Sequence, residues 1–387
     1  MKLKFKNVKI VLPGKVLYNK ELIVSKGKIQ SIVDEVSTVD KLEGGYRLVD
    51  GGGMFLSPGF IDIHNHGSLG FDIMDRSKEA LNGIGSYHIK NGVTSYLGTV
   101  ITSSYENMKA AIENIVDYEN KDTSKILAIH LEGPFFNREK KGAQNIDFIK
   151  DPDLGWIKNL LNISSGKLKM VSLAPELDRA REVIKYLKSK GVKVAIGHSS
   201  ASYEEAKAAI DHGASIATHL FNGMGDFHHR EPGLVGAALV DGRVYCELIY
   251  DRFHMHDAAA EIALKMKGYG KVILVSDAMR AAGLTNGEYE LGGQAVWVKD
   301  GEARLESGTI AGSTLSLREA VYNMVKYLGV PINEAVRMAS LNPAQALGFH
   351  KDIGSIEEGK RADLILFDKD IDIKKVFSGG RELWKKS

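Results

Sequence analysis

Eight short apolar segments, most of them followed by a longer helical stretch, constrain this chain more than any other feature. In order they are GFIDIH, TSYLGTV, KILAIHLE, LKMVSLA, KVAIGH, ASIATH, VYCELIY and KVILVSD. Apolar runs of strand length alternating with helices are the signature of a parallel sheet covered on both faces. Eight strands are enough to close a barrel, so the spacing predicts an α/β fold, a (β/α)8 TIM barrel over residues 56–354. A doubly wound open sheet is the alternative, because periodicity does not separate open from closed. Some helices carry clear end signals. In SYEEAKAAIDHG, Ser202 can cap the start, Glu205 sits three residues on, and Gly213 can end the helix. LDRAREVIKYLKSKG closes on lysines and Gly191, and SLREAVYNMVKYLG closes on Gly329.

The two ends read differently. LKFKNVKIVL, ELIVSKGKIQSIV and YRLVDGGGMFL alternate apolar and polar residues between turn signals, and ADLILFDKDIDIKKVFSGGRELW near the C-terminus has the same character. Residues 1–55 and 355–387 are therefore expected to build one small β-sandwich domain together, beside the barrel. A chain of 387 residues is long enough for both.

The strand ends carry the chemistry. KILAIHLE ends in Glu132, KVAIGH in His198, ASIATH in His219 and KVILVSD in Asp277. In FLSPGFIDIHNHGSLG, His64 and His66 are two apart and would share a face of an extended segment with Asp62. Closing the barrel brings all strand ends to one rim, where catalytic groups of this architecture sit. Imidazole and carboxylate together form the donor set of zinc, with iron, cobalt or manganese as alternatives. Other histidines have plainer readings. His88 and His212 fall within helices as surface or core residues, His350 follows the last helix and is expected to be solvated, and His130 is expected to make a structural hydrogen bond.

Composition narrows the partners. A net charge of +2 supplies no field for nucleic acid or an acidic membrane. No apolar run approaches the ~20 residues that span a bilayer. The single cysteine, Cys246, leaves no intrachain disulfide, and the opening KLKFKNVKIV lacks the apolar core of a signal peptide. A cytoplasmic protein is expected, with no nucleic acid and no membrane among its partners.

The blocks PGFIDIHNHG, HLEGPFFNREKKGA, GHSSA, THLFNGMGDFHHREPG, SDAMRAAG, IAGSTLSL and GSIEEGKRADLILFD resemble the amidohydrolase superfamily. Within it, HLEGPF followed by THLFN and HREPG is similar to the N-acetylglucosamine-6-phosphate deacetylase family, and the likeness runs over nearly the whole chain. The resemblance implies a metal-bearing barrel beside a β-sandwich built from both termini. It implies Glu132, His198 and His219 as ligands of a principal divalent transition metal. His64 and His66 would support a second, with Glu132 bridging, so one or two ions per subunit. Asp277 would be general base and then acid in hydrolysis of an acetamide, or one more ligand. The 6-phosphate of an amino-sugar substrate would be held by Asn222, the Gly223 backbone and Arg230, the last reaching across from the other subunit of a homodimer. His254 would contact the sugar, and Ile310, Ala311 and Gly312 would border the acetyl pocket. His228, His229 and His256 receive no role.

Ala143 and Gln144, after KKG, would lie beside the substrate. Here the chain departs from the family pattern, in which a histidine usually occupies the place of Gln144; glutamine donates a hydrogen bond but carries no proton or charge. Gly223, where alanine is common, is a milder departure. The reading is deacetylation of N-acetylglucosamine 6-phosphate. The alternatives are the galactosamine epimer or another acylamino sugar phosphate, a cyclic-amide hydrolase, and a non-catalytic phosphosugar-binding protein.

Overall fold

All eight apolar segments form one sheet. A computed structural model describes residues 2–34 and 45–386. The sheet runs in the order Val272–Leu274, Tyr245–Leu248, Ala214–Ala217, Lys193–Ile196, Leu168–Leu173, Lys125–Glu132, Val93–Ile101, Phe60–Asp62. Every ladder in it is parallel. The first and last strands meet just beyond their ends. The Asp277 amide donates to the His64 carbonyl at 2.9 Å, and Asn65 bridges Ala278 in parallel. Ser276 Oγ donates to Asp62 Oδ2 at 2.6 Å. These links close the ring, and the open-sheet alternative falls away.

The helices form where the end signals place them. Ser202 Oγ accepts from the Glu205 amide at 3.2 Å, and the Glu205 carboxylate accepts from the Ser202 amide at 2.8 Å, a reciprocal cap on Tyr203–His212. Gly329 ends Leu317–Leu328 at φ 63°, a left-handed conformation that costs glycine little.

Strands from both chain ends share a second, mixed sheet: Arg381–Lys385, Ile373–Ser378, Leu364–Phe367, Arg47–Pro58, Lys2–Leu12, Lys15–Ser25, Lys28–Asp34. Alternation along LILF separates two cores. Leu364 and Leu366 pack with Leu3, Phe5, Leu22 and Phe377, whereas Ile365 and Phe367 join the barrel's core. The strand Arg47–Pro58 continues three residues past the expected boundary at 55.

A third layer was not foreseen. Gly287–Leu291, Gln294–Lys299 and Glu302–Arg304 form an antiparallel three-stranded sheet between Asp277 and Ile310. Its inner residues Leu291, Val296, Val298 and Ala303 pack on Ile101, Met279 and Ala311. The alternation in EYELGGQAVWVKDGEAR was legible. It lies inside the barrel span, where the βα rhythm draws attention to helices instead.

His350 differs from expectation. It is half-buried rather than solvated, and its Nδ1 is enclosed with no hydrogen-bond partner. His130 accords with expectation, bonded to Thr99 Oγ1 at 3.3 Å and Ser172 Oγ at 2.8 Å.

Candidate active site

Glu132 closes its strand Lys125–Glu132, whereas the other strands stop short of the residues that matter. Phe60–Asp62 ends before His64, Lys193–Ile196 before His198, Ala214–Ala217 before His219 and Val272–Leu274 before Asp277. His198, His219 and Asp277 take φ values of 50°, 29° and 49°. This left-handed backbone is uncommon outside glycine and costs on the order of 1–3 kcal/mol per residue. It turns each side chain from the strand's line toward the barrel axis. His64 and His66 also converge there, although the extended strand has ended by then; Asp62 turns away to Ser276.

Glu132 stands at the centre. Its Oε1 lies 3.3 Å from His64 Nε2 and 3.4 Å from both His198 Nε2 and His219 Nε2. Its Oε2 lies 3.3 Å from His66 Nε2. Asp277 Oδ1 is 3.4 Å from His64 Nε2 and 3.2 Å from His66 Nε2. Two buried triplets result, His64–His66–Asp277 and Glu132–His198–His219, each with ligand atoms within 4.8 Å of one another.

The rings are oriented from behind. His198 Nδ1 donates to the Lys140 carbonyl at 2.8 Å and His219 Nδ1 to the Asn222 carbonyl at 3.1 Å. A carbonyl only accepts, so Nδ1 carries the proton and Nε2 faces inward with a lone pair. A Cβ at position 223 would meet His198 Nδ1 at 2.8 Å, so Gly223 leaves that ring its space.

The electrostatics fit a cation. Burial opposes charge on His64, yet Asp277 and Glu132 outweigh it and hold the imidazole well above its usual range. Burial likewise opposes charge on His66, and the neighbouring carboxylates of Asp277 and Glu132 push it up to about 9. Burial alone would raise Asp277, but His64 and His66 bring it down to about 2; Glu132 is held well below the carboxylate range against its own burial. Without an ion, protons on His64 and His66 offset the charge of the two acids. A divalent metal takes the place of such protons when it binds. Two ligand atoms, His64 Nε2 and Asp277 Oδ1, are buried without a hydrogen-bond partner. Orphaned donors in a nitrogen and oxygen set are what a transition-metal site requires. The residues fit the metal.

His66, Glu132, His198, His219 and Asp277 open into a cavity of about 250 Å³, with His64 buried behind them. Ala143, Gln144, Asn222, Gly223, His254, Ile310 and Gly312 line it, together with Gly142, Ile249, Leu291 and Thr309, which sequence reasoning did not single out. His254 Nδ1 is 2.7 Å from Asp251 Oδ2; burial opposes its charge, and Asp251 raises its pKa nonetheless. Gln144 is anchored on protein at both ends of its amide. Its Nε2 donates to Glu132 Oε2 at 2.8 Å, and its Oε1 accepts from the Thr102 amide at 3.2 Å. Ala311 packs instead among the apolar residues under the three-stranded sheet. Arg230 is exposed, 3.0 Å from His229 Nε2, and does not line the cavity of its own chain. Glu247 was missed altogether: it is fully buried in Tyr245–Leu248, beside His64. An acid in the middle of VYCELIY was the available signal.

The amidohydrolase family model matches residues 55–383. An N-acetylglucosamine-6-phosphate deacetylase of Lysinibacillus sphaericus is 40% identical over 359 residues, 92% of this chain and 91% of that protein. An N-acetylgalactosamine-6-phosphate deacetylase of Escherichia coli O157:H7 is 38% identical, covering 84% of this chain and 87% of its own length. The crystal structure of N-acetylglucosamine-6-phosphate deacetylase from Pasteurella multocida superposes with a TM-score of 0.92 at 33% identity, covering 100% of both chains. The sequence and shape matches each cover most of the chain, and the chain belongs to the amidohydrolase family.

Proposed function

We propose that this chain hydrolyses the acetamide of N-acetylglucosamine 6-phosphate to glucosamine 6-phosphate and acetate. The observation that carries the reading is the gathering of both triplets around Glu132, with every member but His64 lining one cavity, in a chain whose relatives are named for that reaction. Glu132, His198 and His219 would hold the principal ion, and His64, His66 and Asp277 the second. Zinc suits the donors best, with iron, cobalt and manganese as alternatives. Such an ion lowers the pKa of a bound water from ~15.7 toward ~7 and polarises a carbonyl.

The chain's own residues supply the rest. Asp277, buried at the cavity wall beside His64 and His66, takes the proton of the attacking water. It then passes that proton to the amine nitrogen, which leaves poorly unless protonated. The doubly anchored Gln144 steadies Glu132 and leaves the substrate carbonyl without a histidine partner from this position. His254, its Nδ1 committed to Asp251, offers Nε2 to a sugar hydroxyl. Asn222 and the Gly223 backbone meet the 6-phosphate. Arg230 joins them from the second subunit of a homodimer, since guanidinium forks match phosphate oxygens.

No helix among the described residues is long and apolar enough to cross a membrane, and Cys246 is buried and unpaired. A cytoplasmic site of action suits both. A second reading, the galactosamine epimer as substrate, is favoured by the Escherichia coli relative. Acetate release from phosphorylated and unphosphorylated N-acetylglucosamine and N-acetylgalactosamine, with metal analysis of the same sample, tests the reading. Fastest turnover of N-acetylglucosamine 6-phosphate is expected; faster turnover of the epimer would install the second reading, and no acetate from any sugar would reject both.

A further inference from the structure

Three of the four inward-facing imidazoles are oriented from behind, and one of them differs in kind. His198 and His219 rest on neutral backbone carbonyls. His64 Nδ1 instead lies 3.1 Å from Glu247 Oε2, a carboxylate with no solvent exposure at all. The same oxygen accepts from the His219 backbone amide at 3.2 Å. Glu247 Oε1 is buried with no hydrogen-bond partner. Its only ion-pair partner among the described residues is His64, and no lysine or arginine reaches it. A carboxylate buried this completely is destabilising unless a charge offsets it. Packing does not explain it, because an apolar residue would fill the same space without that penalty.

We propose that Glu247 is a positioning residue for the His64–His66 ion: it fixes the His64 tautomer and supplies negative charge behind it. The inference rests on the metal reading above. With Glu247 accepting the Nδ1–H, the proton stays on that side and His64 Nε2 keeps its lone pair toward the centre. The carboxylate also makes His64 a stronger donor than a carbonyl-backed ring. The end of the site built on His64, His66 and Asp277 thus has a built-in electrostatic support that the Glu132, His198 and His219 end lacks. Through the His219 amide, the same oxygen ties the two ends together.

Metal affinity tests this directly. Metal-free wild type and Glu247→Gln would be titrated with Zn2+ against a chromophoric chelator, with ions per chain counted. The glutamine oxygen can keep both bonds of Oε2 but carries no charge, so the fold should persist. Wild type should take two ions. Glu247→Gln should hold one as tightly as wild type and the other about 10- to 100-fold more weakly. In a His64→Asn background, Glu247→Gln should change nothing further. Equal affinities in wild type and Glu247→Gln would overturn the proposal, as would an undiminished effect in the His64→Asn background. A wild type that takes no ion at all would instead overturn the metal reading. Should Glu247→Gln not fold, Glu247→Asp keeps the charge while withdrawing it from His64, and a selective loss at one ion is again the supporting result; two wild-type affinities would refute the proposal.

Discussion

His88 and His66 are both fully buried imidazoles, and their surroundings drive them in opposite directions. His88 sits on the helix Lys78–Lys90, its ring 4.5 Å from that of Tyr96 and its Nε2 without a partner. Burial alone acts on it and brings it down to about 3. His66, at the barrel rim, feels the same burial, but Asp277 and Glu132 push it up to about 9. Burial therefore does not mark a functional histidine. What marks it is the company of buried acids, which is arranged at the strand ends and absent from the helical shell.

The largest expected effect at the rim comes from removing a ligand. His198→Ala or His219→Ala should take acetate release to background and lose one tightly held ion in the same preparation. A variant that keeps both would break the contrast, since the rim histidine would then be as dispensable as a shell one. Asp277→Asn should keep the fold and lose about 10²- to 10⁴-fold in kcat, the usual worth of a positioned acid–base group. Turnover within tenfold of wild type would assign proton transfer elsewhere.

Arg230 lies outside the cavity of its own chain, and the proposed homodimer is what would carry it to the phosphate. Arg230→Ala should weaken binding of the 6-phosphate sugar by about 10- to 150-fold, from the ~1.5–3 kcal/mol of a charge-assisted bond. Metal content should be unchanged, and an unphosphorylated sugar should feel almost no loss. Equal losses on both sugars would make Arg230 a surface residue only.

The smallest effect sharpens the shell side of the comparison. His88 is neutral when folded and titrates near 6.5 when unfolded. Its contribution is intact above pH 6.5 and fades as pH falls toward 3, because only the unfolded chain gains the proton. At about 1.4 kcal/mol per pH unit, lowering the pH to 5 should cost about 2 kcal/mol through this residue. Urea midpoints of wild type and His88→Leu at pH 7 and pH 5 measure it. The leucine variant should lose less on acidification, and parallel losses would show that burial of His88 is not what disfavours its proton.

Much of this was legible because it is local. Strand-length apolar runs form strands wherever they can be covered, and a capping box such as Ser202–Glu205 needs only four residues. The positions of Glu132, His198, His219 and Asp277 at the ends of such runs follow from the same pattern. The residues missed were those whose role depends on what closure brings near. Glu247 reads as one acid in an apolar strand until closure of the ring sets the segment carrying His64 one strand away from it. Gln144 is expected beside the substrate from the sequence, but its bond to Glu132 depends on the turn that carries it folding over that acid.

The sequence by itself determined the alternation of strands and helices, the polar residues at the strand ends and the two terminal segments of alternating character. Each is written in a window of a few residues and decided by backbone geometry and the period of apolar side chains. Only the tertiary structure decided that the sheet closes, that Glu132 faces four imidazoles at once, and that Arg230 stands apart from its own cavity. Those are distances between residues tens to hundreds of positions apart, and side-chain period carries no information about them.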